Sequence, residues 1–145
     1  MKKVVALASD HAGYKLKKEL CDYVRSLGYD TVDLGPDTDE KSVSYAEQGK
    51  ELAEYIDSRH PDFGIGVCGT GLGISYALNR HKRIRAARVT TVEDAHLAKQ
   101  HNNANVLVFG GRQVKLEDAK KMVDEYIKTE YEGGRHQVRI DQLDE

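Results

Sequence analysis

The chain has 145 residues, enough for one ordinary domain and too few for two. Its 22 basic and 24 acidic residues leave a formal net charge of −2, which argues against a general nucleic-acid binder and its basic face. No stretch approaches the roughly 18 apolar residues of a membrane span, and the cysteines Cys21 and Cys68 lie in unlike contexts, so a reducing cytoplasm fits better than a disulfide framework.

Met1-Lys2-Lys3 leads directly into Val4-Val5-Ala6-Leu7-Ala8, a run too short for a signal peptide and followed at once by Ser9-Asp10-His11. It reads as a first strand, apolar throughout as in a sheet covered on both faces. Ala12, Leu16, Leu20, Val24 and Leu27 then mark one face of a helix, closed by Gly28 at the C-cap, with Cys21 beside Leu20 on the packed side. Residues 29–34 form a second strand, ended by Gly35-Pro36-Asp37. A second helix over 45–58 turns Ala46, Leu52, Ala53 and Ile56 inward, and His60-Pro61-Asp62 is a surface turn. The third strand, 63–67, runs into Cys68-Gly69-Thr70-Gly71-Leu72-Gly73, with a helix from Ile74 to about Asn79. His81-Lys82-Arg83 is a solvated basic run before a fourth strand at 84–89. Thr91-Val92-Glu93-Asp94 has the form of a capping box and starts a helix to about His101. A fifth strand at 105–109 ends at Gly110-Gly111-Arg112, a helix spans 116–129, and the tail from Tyr131 is too polar for a core element. Strand and helix alternate, which predicts a single domain over 1–145: an α/β/α three-layer sandwich on a five-stranded parallel sheet, Rossmann-like or flavodoxin-like.

Ligands of such sheets bind beyond the carboxyl ends of the strands. There the sequence places Asp10 and His11, then Cys68 with its glycine loop, then Arg112, and His101-Asn102 are expected at the same edge. A strand, a glycine loop and a helix N-terminus present unpaired backbone N–H groups to an anion. Cys68 at the mouth of that loop is either small core filler or a thiolate favoured by the helix end. Asp10 is equally readable as an N-cap and His101 as a helix-end residue that suits the dipole. The loop lacks the lysine of a nucleoside-triphosphate loop, and neither CxxC nor HExxH is present to indicate a metal. Arg135 and Arg139, four apart, share a face if the tail is helical, and paired guanidiniums suit a phosphate.

Ser9-Asp10-His11-Ala12-Gly13, Cys68-Gly69-Thr70-Gly71-Leu72-Gly73-Ile74-Ser75 with Asn79, His101-Asn102 with Asn105-Val106, and Tyr131-Glu132-Gly133-Gly134-Arg135-His136 with Arg139 together resemble the ribose-5-phosphate isomerase B family. The resemblance covers nearly the whole chain in order. It implies interconversion of ribose 5-phosphate and ribulose 5-phosphate through an enediolate, with no cofactor and no metal. It assigns ring opening to His101 helped by Asp10, and abstraction of the C2 proton to Cys68. Another branch carries a glutamate in the loop where this chain reads Ile74-Ser75, which leaves Cys68 as the base. Thr70 corresponds to the residue that helps move a proton between O1 and O2, and the N–H groups from Gly69 through Gly71 to Gly73 to the donors for the enediolate oxygen. His11, Arg112, Arg135 and Arg139 correspond to the phosphate-binding set, Asn102 to a hydroxyl contact and Tyr45 to a residue lining the sugar. Galactose-6-phosphate isomerase subunits of the wider family lack the arginine-bearing tail. The family commonly reads Asp-Tyr-Pro where this chain has Ser44-Tyr45-Ala46, a departure that keeps six-carbon sugar phosphates such as allose or galactose 6-phosphate as the alternative. A non-catalytic flavodoxin-like phosphate-binding module is the rival from another class. Family members are dimers or tetramers with sites shared between subunits, so a homodimer or homotetramer is expected, with the tail reaching a partner.

Overall fold

A computed structural model describes residues 2–145. Five strands form one parallel sheet: β1 (Val4–Ser9), β2 (Asp30–Asp33), β3 (Phe63–Cys68), β4 (Ala86–Arg88) and β5 (Val106–Gly110). Between and after them run α1 (Tyr14–Ser26), α2 (Tyr45–Arg59), α3 (Leu72–Asn79), α4 (Val92–Gln100), α5 (Leu116–Lys128) and α6 (Arg135–Leu143). The expected three-layer parallel architecture is present.

Two cores follow from the period of two along each strand. Val5, Leu7, Ile65, Val67, Leu107 and Phe109 face α1 and α5, where Leu16, Leu20, Val24, Met122 and Val123 meet them. Ala6, Ala8, Val106, Val108 and Cys68 face the other way, onto Leu52 and Ile56 of α2 and Ile74 and Leu78 of α3. Because both faces are covered, β3 is buried along its whole length.

The strand order is β2-β1-β3-β5-β4. The chain leaves β1 for β2 on one side and returns to β3 on the other, which creates a switch point at the carboxyl ends of β1 and β3. It then skips a place to make β4, and β5 comes back between β3 and β4. Strands 1, 3 and 5 are thus side by side, and so are the loops that leave them.

Local signals explain most element ends. Gly28 takes φ +100° just past α1, the left-handed conformation a stop requires. Ser44 Oγ accepts the N–H groups of Ala46 and Glu47 at 3.1 and 3.4 Å and so starts α2. Thr91 Oγ1 accepts the Asp94 N–H at 3.0 Å, while the Asp94 carboxylate reaches back to the N–H of Thr90, one residue before the cap.

Four expectations need correction. Leu27, placed on the packed face of α1, is its C-cap and is 44% exposed. Ala46 is exposed, and Gly49 takes the inward position on that turn of α2. The fourth strand is three residues rather than six, since the Ile84 N–H bonds to the His81 carbonyl in a turn and Arg83 adopts φ +68°. The polar tail is not shapeless. Residues 135–143 form α6, which buries His136 and Ile140 against its own chain and exposes the rest.

Candidate active site

The carboxyl ends of β1, β3 and β5 are tied together by backbone. Asp10 N–H donates to the Val67 carbonyl at 3.1 Å, Gly111 N–H to Cys68 at 2.7 Å, and Arg112 N–H to Gly69 at 3.0 Å. This lattice gathers Asp10, His11, the Cys68–Gly73 loop and Arg112 into one rim.

Cys68 ends β3 with its side chain buried at 4% exposure. The Gly71 N–H, just ahead of α3, points at Cys68 Sγ from 3.2 Å. The sulfur therefore accepts a backbone hydrogen bond at the N-cap of α3. Gly71 holds this turn with φ +82°, and a Cβ would meet the Phe109 carbonyl carbon at 3.1 Å. The Thr70 hydroxyl accepts the Leu72 N–H at 3.2 Å, which orients its oxygen and leaves its own proton free to donate. The loop's donors are therefore partly committed, Gly71 to the thiol and Leu72 to Thr70.

Around the loop lie the groups that would meet a ligand. Asp10 Oδ1 accepts the Gly13 N–H at 2.9 Å and the residue is 7% exposed; the N-cap of α1 is Gly13, not Asp10, so the carboxylate braces the turn at the rim ahead of the helix. His11 Nδ1 accepts the Val43 N–H at 3.2 Å, which assigns the ring proton to Nε2. Tyr45 opens α2 with its ring across Gly73, where a Cβ would come within 2.7 Å of ring carbons. Ser44 and Ala46 thus leave the tyrosine seated on the glycine loop. The Arg112 guanidinium lies over Gly69, 3.2 Å from where a Cβ would stand. Arg88, unread in the sequence, joins them: its Nε donates to the Thr70 carbonyl at 2.8 Å and its Nη2 to Gln113 at 2.9 Å. Its position at the carboxyl end of the fourth strand was the available signal.

His101, Asn102, Arg135 and Arg139 are not at this rim. A helix returning from a strand's carboxyl end finishes at the opposite edge, and His101 is the C-cap of α4. Asn102 lies just before β5, whose register runs from Val106 beside Gly64 to Gly110 beside Cys68. Four steps of strand, on the order of 13 Å, separate those ends. The expectation of a single edge fails because helix direction reverses the order. The tail joins this far edge: the His136 ring stacks on His101 with centroids 4.6 Å apart and 18° between planes. The Glu132 N–H holds the Gln100 carbonyl at 2.9 Å, and Arg135 pairs with the Glu132 carboxylate at 3.0 Å. Desolvation works to raise the Glu132 carboxyl, but Arg135 and His136 outweigh it and hold it below its ordinary range. Arg139 is exposed one turn further along α6. One chain therefore carries two separate clusters, one of thiol and glycine loop and one of imidazoles and arginines.

Similarity to known proteins extends over the stretches that carry both clusters. The family model described as Ribose/Galactose Isomerase matches residues 5–143. The Escherichia coli protein named ribose-5-phosphate isomerase B is 40% identical over 141 residues, 97% of this chain and 94% of that protein. A crystal structure of a ribose 5-phosphate isomerase from Thermotoga maritima superposes with a TM-score of 0.95 at 42% identity, covering 99% of both chains. Ribose-5-phosphate isomerase B from Mycoplasma genitalium, solved with bound ribulose-5-phosphate, gives a TM-score of 0.93 at 38% identity over 99% of this chain and 95% of that one. With its fold and nearly its whole length in common with these proteins, the chain belongs to the Ribose/Galactose Isomerase family.

Proposed function

We propose that the chain interconverts ribose 5-phosphate and ribulose 5-phosphate, and that a second copy of the chain completes each site. The observation that carries the reading is Cys68 Sγ, buried at the switch point with the Gly71 N–H directed at it. A thiolate there is placed to take the C2 proton of an opened aldose and return it to C1. The electron pair passes through an enediolate, whose developing charge faces the first turn of α3. The Thr70 hydroxyl serves the proton exchange between O1 and O2. His11, through its Nε2–H, and Arg112 bind the phosphate from one side, and Tyr45 lines the sugar. His101 opens the ring with Asp10 opposite it, Asn102 holds a hydroxyl, and Arg135 and Arg139 close on the phosphate. The far-edge position of these last residues within one chain is what calls for a second copy, and a homodimer is the smallest assembly that supplies it. No step in this scheme uses a metal or a cofactor.

No helix among the described residues is long and apolar enough to cross a membrane. The two free cysteines fit a reducing compartment, and we place the enzyme in the cytoplasm, acting as one isomerase domain.

The test is ribulose 5-phosphate formation from ribose 5-phosphate with chelator present, for the wild type and Cys68→Ala. We expect metal-independent turnover that falls at least 100-fold in the variant, with phosphate binding retained. Retention of more than about a tenth of turnover, a barrier change under about 1.4 kcal/mol, removes Cys68 from the base role.

A further inference from the structure

The far edge carries a second constellation. His101, Glu132 and His136 each bring one ligating atom to a common point, with those atoms within 4.8 Å of one another. They arrive from the C-terminus of α4, the connection before α6 and the first turn of α6, so chain spacing gives no metal motif. His136 is 7% exposed, and its Nε2 is buried without a hydrogen-bond partner. That nitrogen stands 3.4 Å from Glu132 Oε1, in a direction unsuited to a hydrogen bond. A buried ring nitrogen left without a partner is costly unless something accepts or coordinates it.

We infer that His101, Glu132 and His136 form a binding site for a late first-row divalent ion of the zinc type, and that such an ion inhibits the isomerase by occupying the His101 lone pair. Two imidazole nitrogens and one carboxylate are the donor set of three-ligand zinc sites, with a fourth position left to water. Calcium and magnesium prefer all-oxygen shells and are poorly served by two imidazoles. Tetrahedral binding at about 2.0–2.2 Å brings donors to roughly 3.3 Å apart, so the cluster must contract by about 1.5 Å. His136 is the fixed member, held in the chain by burial. His101 is half-buried and Glu132 exposed, so both can turn toward it. The ion draws Glu132 from Arg135, 3.0 Å away, and separates the stacked rings of His101 and His136. The inhibition rests on the ring-opening role of His101 proposed above; the ion site does not.

The whole chain, stripped of metal in a buffer free of phosphate, is titrated with Co²⁺ and then with Zn²⁺ as competitor, reading visible d–d absorption. Isomerase turnover is followed in parallel with Zn²⁺ and after chelator. One ion per chain is expected, with binding at least tenfold weaker in His136→Gln and in Glu132→Gln and unchanged in Cys68→Ser. Glu132 is exposed, so its variant carries the test if loss of the buried histidine prevents folding, which circular dichroism checks. Binding unchanged in both variants, absent in the wild type, or lost in Cys68→Ser overturns the site. Ion binding that leaves turnover intact keeps the site and overturns the inhibition, and with it the role given to His101.

Discussion

The two cysteines show how unlike the buried environments of one residue type can be. Cys21, 1% exposed on α1, has its thiol pushed up from 9.0 to about 11, first by burial and then by the Asp33 charge. It is uncharged at neutral pH and acts as a small apolar side chain. Cys68, barely more exposed, instead faces a backbone donor at a helix N-terminus. We expect iodoacetamide at about pH 8 to modify Cys68 ahead of Cys21, read by peptide mass spectrometry. Faster labelling of Cys21 would contradict this. Because the folded value of Cys21 lies above its ordinary one, its contribution to stability is complete below pH 9.0 and is lost as pH rises toward about 11. The advantage of the wild type over Cys21→Ala in thermal melts therefore narrows across that window. The sequence placed Cys21 on the packed face of its helix, where it lies, but the partner of each polar atom was decided by folding. Asp10 was readable as an N-cap, but the cap of α1 is Gly13, and the Asp10 carboxylate instead accepts the Gly13 N–H in the turn ahead of the helix.

At the scale of elements, the join between α1 and β2 depends on a buried ion pair. Lys17 is fully buried, with Nζ 2.8 Å from Asp33 Oδ1 and 2.6 Å from the Pro36 carbonyl. Lys18 reaches the other Asp33 oxygen at 3.2 Å, and the Gly35 N–H donates to Oδ1 at 3.0 Å. Burial works to raise the Asp33 carboxyl, and these partners outweigh it, holding it below its ordinary range. Removing the lysine leaves a half-buried carboxylate with weaker company. Lys17→Met should destabilise by about 3 kcal/mol in denaturant melts, and adding Asp33→Asn should recover part of that loss. A cost under about 1 kcal/mol would mean that water and Lys18 already satisfy Asp33. Lys17 went unread because its spacing places it beside Leu16 and Leu20 without revealing which polar group it meets. β4 shows a different solution, at a free edge. The Asn79 side chain accepts the Ala86 N–H at 2.8 Å and donates to its carbonyl at 3.0 Å, standing in for a neighbouring strand. That gives the asparagine of the glycine-loop motif a structural place.

For the whole molecule, the proposed sharing of each site between two copies makes a prediction that a self-contained site does not. Cys68→Ala and His101→Asn should each be inactive alone, yet activity should return when they are mixed under conditions that exchange subunits. In a hybrid dimer one site has lost both groups and the other has kept both, so the equilibrium mixture should reach about a quarter of wild-type turnover. Failure to recover any activity, with exchange confirmed by mass, would rule out shared sites. The sequence alone determined the alternation of strands and helices, because apolar period and glycine punctuation are local properties of the chain. It also carried the residue types proposed for the site, since Cys68 with its loop, His101 and the paired arginines are legible in order along the chain. Tertiary structure decided the strand order 2-1-3-5-4, which sets the loops of β1, β3 and β5 side by side. It also turned the polar tail into α6 through His136 and Ile140, two buried residues too few to register as an amphipathic pattern. Above all it set the His101 ring against His136 of the tail, at the far edge from Cys68. That edge already follows from parallel alternation, since a helix that feeds the next parallel strand must finish at its amino end, but which residues meet there depends on long-range packing that order along the chain does not record.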